Sequence, residues 1–132
     1  MEYGIIGFDH VGIYVDDLEA SKKFYTEILG FELVSEWIRS EWDGAYLGFY
    51  RLGSCMIELV KKPYGKTACD GPLNHLTFSV KDIARTRDEL QKKGVAFETQ
   101  QICCDEGLFD NGVNHIFFRG PSSERLQLVE SR

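Results

Sequence analysis

Apolar and polar residues alternate in two short stretches of this chain that are near copies of each other. The first, "HVGIYV", begins at His10, and the second, "HLTFSV", begins at His75. In both, the second, fourth and sixth residues are apolar. Because successive side chains of a β-strand point to opposite faces, both stretches are predicted to be strands with one buried face. The two histidines fall on the other face.

A helix is predicted after each of these strands. Apolar residues recur at helical spacing between Asp17 and Gly30, and again between Asp82 and Gly94. Aspartate is a preferred N-cap residue, and glycine commonly follows the last turn of a helix. We therefore expect each helix to begin after its aspartate and to end before its glycine.

Three strand-like runs follow each predicted helix. They are "FELVSEWI", "AYLGFYRL" and "CMIELVKK" in the first half of the chain, and "AFETQQIC", "HIFFRG" and "RLQLVE" in the second. The order strand–helix–strand–strand–strand thus occurs twice, as expected of a duplicated unit. We predict an α+β fold, a single domain over residues 1–132, with units at about 7–60 and 72–130 and a linker at 61–71. The two sheets are expected to form a shared curved cleft.

The last strand of each half places one polar side chain on the same face as the histidine. In "CMIELV" the apolar residues Ile57 and Leu59 belong to the helix side, which leaves Glu58 on the uncovered face. By the same alternation Gln127 faces away from the helix in "RLQLV". The repeat therefore matches His10 with His75 and Glu58 with Gln127.

These four side chains form a plausible set of metal ligands. Two imidazoles, one carboxylate and one amide oxygen can hold a divalent ion and leave positions open for water or substrate. Open positions are what Lewis-acid catalysis requires. A single strand histidine is usually structural, so the prediction rests on the recurrence of the whole set.

Other chemistry-bearing residues receive weaker interpretations. His115 has an apolar counterpart in the repeat, so it is expected to be structural or a contact at the rim of the site. Trp37 and Trp42 bracket what reads as an irregular stretch and are candidates for the wall of a substrate pocket or for a dimer contact. The aromatic residues expected to belong to the core are Phe49, Tyr50, Phe117 and Phe118.

Composition excludes several classes of function. The chain has 132 residues and a formal net charge of −6, which argues against a nucleic-acid partner. No apolar run reaches the roughly 18 residues that cross a bilayer, so no membrane association is expected. The first twenty residues show no export signal, and no C-x-x-C pair occurs. We expect a cytoplasmic protein with reduced thiols; Cys103 and Cys104 are adjacent, which disfavours a disulfide between them.

The chain resembles the vicinal oxygen chelate superfamily, which includes glyoxalase I, methylmalonyl-CoA epimerase, extradiol dioxygenases and bleomycin-resistance proteins. The resemblance is carried by "DHVGIYVDDLEASKKFYTEILGFEL", "IELV", "NHLTFSVKDI" and "FFRGPSSERLQLVE". It covers the chain from about Phe8 to Glu130. Members place metal ligands on the first and last strands of each half. This implies His10, Glu58, His75 and Gln127 as ligands.

Among these proteins, chain length and the glutamate of "IELV" look most like glyoxalase I. The resemblance implies a small-molecule substrate, such as the hemithioacetal of methylglyoxal, isomerised through an enediolate. It implies Glu58 as the catalytic base and one divalent metal ion, with nickel, cobalt, zinc, manganese and iron all compatible. Glutathione or another thiol is then a possible co-substrate. A homodimer is expected, with the active site either inside one chain or built from two.

Gln127 departs from the family pattern, because glyoxalase I usually has glutamate there. An amide oxygen can bind a metal, but an amide cannot accept a proton. Glu58 alone would then have to move the proton, and the lower ligand charge would weaken metal affinity. Glu124 or Glu130 would replace Gln127 only if the strand register were shifted or bulged.

Other functions fit parts of the pattern, among them a thiol transferase acting on fosfomycin, although the ligand positions fit that activity poorly. Two histidines and one carboxylate also form the ligand set of non-haem iron oxygenases, so a small dioxygenase is one alternative. A metal-free binding protein of the bleomycin-resistance kind is another. Such proteins usually lack the histidine–glutamate set, so its retention here favours an enzyme.

Overall fold

The computed structural model describes residues 4, 8–41, 43–64, 73–106, 108–109 and 111–132. The chain divides into two compact units, Met1–Thr67 and Ala68–Arg132. In the described part of each unit there is one open sheet and one helical segment. Trp42, Cys69 and most of the predicted linker lie outside the described residues.

The first unit has four strands in the order β1-β4-β3-β2. Strand β1 runs parallel to β4, and the other two pairs are antiparallel. Its helix is a regular α-helix that continues as one wide π-helical turn. The elements are β1 Val11–Tyr14, α1 Leu18–Lys23, the π-helical turn Phe24–Ile28, β2 Glu32–Ile38, β3 Tyr46–Leu52 and β4 Cys55–Lys61.

The second unit repeats this arrangement, except that two short strands take the place of the second strand. Its sheet has the order β5-β9-β8-β6, and β7 also pairs with β8. Strand β5 runs parallel to β9, as β1 does to β4. The elements are β5 Leu76–Ser79, α2 Ile83–Lys92, β6 Ala96–Phe97, β7 Cys103–Asp105, β8 Val113–Arg119 and β9 Arg125–Ser131. The α+β class and the duplicated order of elements are therefore confirmed.

The predicted helix signals are present in both units. Asp17 Oδ1 accepts a hydrogen bond from the backbone N–H of Ala20 at 3.1 Å, and Asp82 Oδ1 accepts one from Arg85 at 3.1 Å. These are N-caps. Gly30 follows the first helical segment with a φ of 88°. A positive φ is open to glycine at little cost, which explains why the chain turns there.

The first helix differs from the continuous α-helix that the spacing predicted. From Phe24 onward it widens, and the N–H of Leu29 donates to the carbonyl of Phe24 at 3.0 Å, five residues back. The wider turn accompanies the burial of two consecutive rings, Phe24 and Tyr25, which meet edge to face at 5.1 Å. No helix of the described residues is long and apolar enough to cross a membrane.

The single strand predicted over "AFETQQIC" is wrong, because this run contains only the short strand β6 and the first residue of β7, and residues 98–102 between them belong to no strand. Between them the hydroxyl of Thr99 donates to the carbonyl of Gln101 at 3.0 Å, two residues along the chain. Arg87 of α2 donates to the carbonyl of Gln100 at 3.0 Å. A carbonyl bound to a side chain in this way replaces a ladder hydrogen bond, so the strand is interrupted.

Each sheet has one face packed against its own helix. In the first unit Ile57 and Leu59 of β4 are fully buried, and Lys22 of α1 reaches over the ring of Tyr46. In the second unit, Glu130 of β9 accepts a hydrogen bond from the backbone N–H of Ile83, the first residue of α2. The buried apolar residues of the second unit are Ile83, Leu90, Val95, Val113, Ile116, Phe118, Leu126 and Leu128. The opposite face of each sheet, called the uncovered face here, carries no helix formed by the described residues of its own unit.

A pair of tyrosines lies between the first sheet and its helix. The hydroxyls of Tyr46 and Tyr50 are 2.7 Å apart, and Tyr46 also donates to Glu36 at 2.5 Å. Burial raises the pKa of Tyr46, and the hydrogen bonds with Glu36 and Tyr50 raise it further; burial likewise raises the pKa of Tyr50. Gly48 lies beneath the Tyr46 ring, where an added Cβ would come within 2.7 Å of two ring carbons.

We expect Gly48→Ala to lower the free energy of unfolding by about 1–3 kcal/mol, because the new methyl group overpacks the buried Tyr46 ring. Urea denaturation measures the change. In a Tyr46→Leu background the same substitution should cost much less, since the ring that the methyl group meets is absent. An equal cost in both backgrounds would contradict the assignment of the clash to Tyr46.

Alkaline pH should destabilise the first unit through the two buried phenols. Unfolded tyrosines release their protons near pH 10, whereas the raised pKa of Tyr46 keeps that phenol protonated in the folded chain. The unfolded state then binds fewer protons, so the free energy of unfolding falls as pH rises above about 10. Urea denaturation at pH 8 to 11 should show a smaller decline for Tyr46→Phe. Identical slopes for the two proteins would show that Tyr46 contributes nothing to it.

Candidate functional site

The uncovered face of the first unit brings His10 and Glu58 together. The Nε2 atom of His10 is 3.6 Å from Glu58 Oε1. On its other side the ring donates Nδ1–H to Asp9 Oδ2 at 2.7 Å. The ring also meets Phe49 edge to face, with centroids 5.0 Å apart. His10 and Glu58 are both partly buried, with side-chain exposures of 32% and 18%.

The parallel pairing of β1 with β4 produces this contact. Gly12 is the cross-strand partner of Glu58, and Phe49 of β3 is its partner on the other side. A Cβ on Gly12 would be 3.4 Å from Glu58 Oε1, so the carboxylate lies directly over the glycine. The missing side chain at Gly12 gives the carboxylate room to lie near His10.

The second unit holds the corresponding residues in the same register. His75 donates Nδ1–H to Asn74 Oδ1 at 2.7 Å and meets Phe117 edge to face at 5.1 Å. Gln127 of β9 is paired with Thr77 on one side and with Phe117 on the other. The hydroxyl of Thr77 donates to Gln127 Oε1 at 2.8 Å.

Both histidines therefore offer the same nitrogen. A ring whose Nδ1 donates to an oxygen carries its remaining lone pair on Nε2 when it is neutral. Such backing by a carboxylate or carbonyl oxygen is typical of metal-binding histidines. In the first unit this nitrogen lies 3.6 Å from a carboxylate oxygen of Glu58, so two atoms that can each bind a cation lie side by side on the uncovered face. The donor set of the first unit thus fits a divalent metal ion.

Arg125 lies beside His75 on the uncovered face of the second unit. Its guanidinium stacks over the Phe117 ring at 3.7 Å, and its Nη1 donates to Asn74 Oδ1 at 2.8 Å. Its Nε donates to Glu98 at 3.0 Å. Asn74 Oδ1 accepts from both Arg125 and His75, which fixes the proton of His75 on Nδ1. The repeat places Met56 at the position of Arg125, so this cation has no counterpart in the first unit.

The register of β9 excludes Glu124 and Glu130 as replacements for Gln127. Pairing along β9 is continuous on both sides, with no bulge. Glu130 points to the helix side, where it accepts hydrogen bonds from the N–H of Ile83 at 2.9 Å and from Asn114 at 3.0 Å. Glu124 accepts from the N–H of Ser122 at 2.9 Å.

The remaining predicted residues belong to neither pair. The Nε2 atom of His115 is 2.9 Å from Asp105, and its ring is 5.8 Å from Phe117. Trp37 belongs to β2 rather than to an irregular stretch, pairs with Leu47 and is 65% exposed. The described cysteines, Cys55, Cys103 and Cys104, are free thiols.

The aromatic residues expected in the core divide into two groups. Tyr50 and Phe118 are completely buried, as predicted. Phe49 and Phe117 are instead partly exposed on the uncovered faces, where they contact His10 and His75. Strand alternation explains the division, because adjacent residues of a strand point to opposite faces.

Asp9 and Asn74 had no role in the sequence interpretation, although each directly precedes a histidine in the repeat. Their shared position was the signal that would have found them. Within the described residues, no group of three or more histidine, cysteine, aspartate or glutamate side chains is placed to hold a metal ion. Each unit by itself supplies only two of the four predicted ligands. One of the four, Gln127, is an amide and so is not among these residue types.

Comparison with known proteins identifies the family. The model of the Glyoxalase/Bleomycin resistance protein/Dioxygenase superfamily matches residues 7–127. The uncharacterized protein YwkD of Bacillus subtilis is 34% identical over 125 residues, which is 92% of this chain and 94% of that protein. A probable lactoylglutathione lyase of Vibrio parahaemolyticus is 29% identical over 129 residues, covering 93% of this chain and 89% of that protein.

A solved structure agrees with these matches. The crystal structure of a glyoxalase family protein from Enterococcus faecalis has a TM-score of 0.79 and 28% identity to this chain, and the match covers 98% of this chain and 100% of that one. The fold, the duplicated sheets and the match over most of the sequence all lead to one conclusion. The chain belongs to the glyoxalase/bleomycin resistance protein/dioxygenase superfamily.

Proposed function

We propose that this chain is a divalent-metal-dependent enzyme of the glyoxalase type. It isomerises a small oxo/hydroxy substrate, such as the hemithioacetal of methylglyoxal with a thiol, through an enediolate. The observation that carries the proposal is the pairing of His10 Nε2 with Glu58 Oε1 at 3.6 Å, with Asp9 behind the ring. The repetition of this arrangement around His75 supports it.

In this proposal the metal ligands are His10, Glu58, His75 and Gln127. Each histidine offers Nε2, because Asp9 or an equivalent amide oxygen holds its Nδ1–H. Histidine nitrogen with carboxylate and amide oxygen suits borderline divalent ions such as nickel, cobalt, zinc, manganese or iron. When bound, the metal supplies Lewis-acid stabilisation of negative charge on the substrate oxygens.

Glu58 is the proposed catalytic base. Its carboxylate can take a proton from one substrate carbon and return it to the neighbouring carbon. Gln127 has no such capacity, since an amide does not accept a proton at neutral pH. The partly buried position of Glu58 beside Phe49 limits exchange of that proton with water. The two halves of the proposed site therefore have different roles.

The other partners follow from the same proposal. A thiol, either glutathione or another low-molecular-weight thiol, is the expected co-substrate that forms the hemithioacetal. The lactoylglutathione lyases among the relatives support this expectation. We further propose a homodimer located in the cytoplasm, as the sequence predicted.

Metal analysis tests the ligand assignment. After stripping and reloading with each of the five metals, the protein should hold about one ion per chain, as expected for a four-ligand site. A His10→Ala, His75→Ala double variant should lose it. His115→Ala is the matched control, because this histidine lies outside both ligand pairs, and it should retain the metal.

Other outcomes of that analysis would contradict the proposal. No bound metal after reloading would exclude the metal-dependent enzyme and leave a binding protein of the bleomycin-resistance kind. A preference for iron, with oxygen consumed on adding a catechol, would identify the dioxygenase alternative. Equal metal loss in His115→Ala and the double variant would refute the ligand assignment.

Substitution of Glu58 tests the base. Glu58→Gln keeps an oxygen ligand but removes the proton acceptor, so turnover of the methylglyoxal–glutathione hemithioacetal should fall by about 10²–10⁴-fold. Glu27→Gln, the same change at an exposed glutamate of the π-helical turn, should leave turnover unchanged. Product formation in deuterated water, followed by NMR, reports whether the proton is shuttled. A Glu58→Gln enzyme with full turnover would exclude Glu58 as the base.

A further inference from the structure

The two units have different residue types at two matching positions beside their histidines. Where the first unit has the carboxylates Asp9 and Glu58, the second has the amides Asn74 and Gln127. A carboxylate presents two oxygens, so either end can accept a hydrogen bond or bind a cation. An amide has an oxygen at one end and an NH₂ donor at the other, and only the oxygen can bind a cation. The amides of the second unit therefore have to be oriented.

Each amide is accompanied by a hydrogen-bond donor that the first unit lacks. Thr77 donates to Gln127 Oε1 at 2.8 Å, and its counterpart in the repeat is Gly12. Arg125 donates to Asn74 Oδ1 at 2.8 Å, and its counterpart is Met56. Neither the glycine nor the methionine side chain has a hydrogen to donate. In both cases the hydrogen-bond donor is present in the unit that has the amide and absent at the matching position of the unit that has the carboxylate.

Resting on the function proposed above, we propose that Thr77 is a positioning residue for Gln127. Its hydroxyl holds the amide with the oxygen end fixed on the uncovered face, and one lone pair of that oxygen remains for a divalent cation. Without the hydroxyl, rotation about the last side-chain bond exchanges the oxygen for the NH₂ group. The lone pair of that nitrogen is delocalised into the carbonyl group, so the NH₂ group acts only as a hydrogen-bond donor and does not bind a cation.

The arrangement of the strands makes this role specific to Thr77. It is the direct cross-strand partner of Gln127 in a parallel pair, so the two side chains leave the sheet side by side. Phe117, the partner on the other side, offers no hydrogen bond to the amide. Thr77 is itself exposed, and the core does not depend on its hydroxyl.

The affinity of stripped protein for Zn²⁺ and Ni²⁺, measured by competition with a chromophoric chelator, tests the proposal. Thr77→Val keeps the shape and the β-branch but removes the hydroxyl, and it should weaken metal binding by about 10-fold or more, as loss of a ligand-orienting partner does. Thr77→Ser keeps the hydroxyl and should bind within about 3-fold of the wild type. Thermal melting of the metal-free proteins checks that all variants fold, and Thr77→Ala against Thr77→Ser repeats the comparison.

The same measurement in a Gln127→Glu background separates orientation of the amide from other effects of Thr77. A carboxylate needs no orientation, so Thr77→Val should weaken metal binding much less in Gln127→Glu than in the wild type. An unchanged affinity in Thr77→Val, or an equal loss in both backgrounds, would overturn the positioning role while the metal-dependent function stands. A wild-type protein that binds neither metal would overturn the proposed function, and the positioning role with it.

Discussion

The pairs Gly12–Glu58 and Thr77–Gln127 at the candidate site depend on the parallel pairing of the first strand of a unit with its last strand. Gly12 lies opposite Glu58, and Thr77 lies opposite Gln127, although 50 residues separate the latter pair in sequence. Paired strands lie about 4.8 Å apart, so side chains of one face meet directly. A slip of one residue would turn the Glu58 carboxylate toward the helix, where an unpaired charge is costly to bury.

The same pairing explains why the helix covers only one face of each sheet. A parallel pair requires a long crossover, and here the crossover contains the helix and the two middle strands. The helix packs on the apolar side, which contains Ile57 and Leu59 in the first unit and Leu126 and Leu128 in the second. Polar side chains on the uncovered face need not compete with that core. The candidate site and the apolar core thus lie on opposite faces of each sheet.

Much of this arrangement was predictable from the sequence, because it depends on alternation and spacing. The N-caps at Asp17 and Asp82 and the facing of Glu58 and Gln127 follow from local rules that the structure obeys. The division of "AFETQQIC" into β6 and β7 was not predictable. The segment between these strands is bound from outside the run, by the hydrogen bond from Arg87 of α2 to the carbonyl of Gln100, and the pattern of the run does not reveal that contact.

The environment of each histidine also lay beyond local rules. The shared position of Asp9 and Asn74 before each histidine was visible in the sequence, but the hydrogen bond to Nδ1 depends on the side-chain rotamers of both partners, which alternation and spacing do not give. Phe49 and Phe117 read as core residues because aromatic residues are mostly buried. Their place beside the histidines becomes clear only from the strand register, which pairs Phe49 with Glu58 and Phe117 with Gln127.

The exchange of acids for amides also changes the electrostatics of the two units. Two carboxylates flank His10, whereas His75 is flanked by an amide and lies near the guanidinium of Arg125. If the proposed ligands share one divalent ion, a single carboxylate neutralises only half of its charge. A second carboxylate would bind the ion more tightly but would leave less positive charge to stabilise an anionic substrate. In the proposed site the amide would thus lower the affinity for the ion and raise its Lewis acidity, and the orientation of the amide oxygen would matter for both.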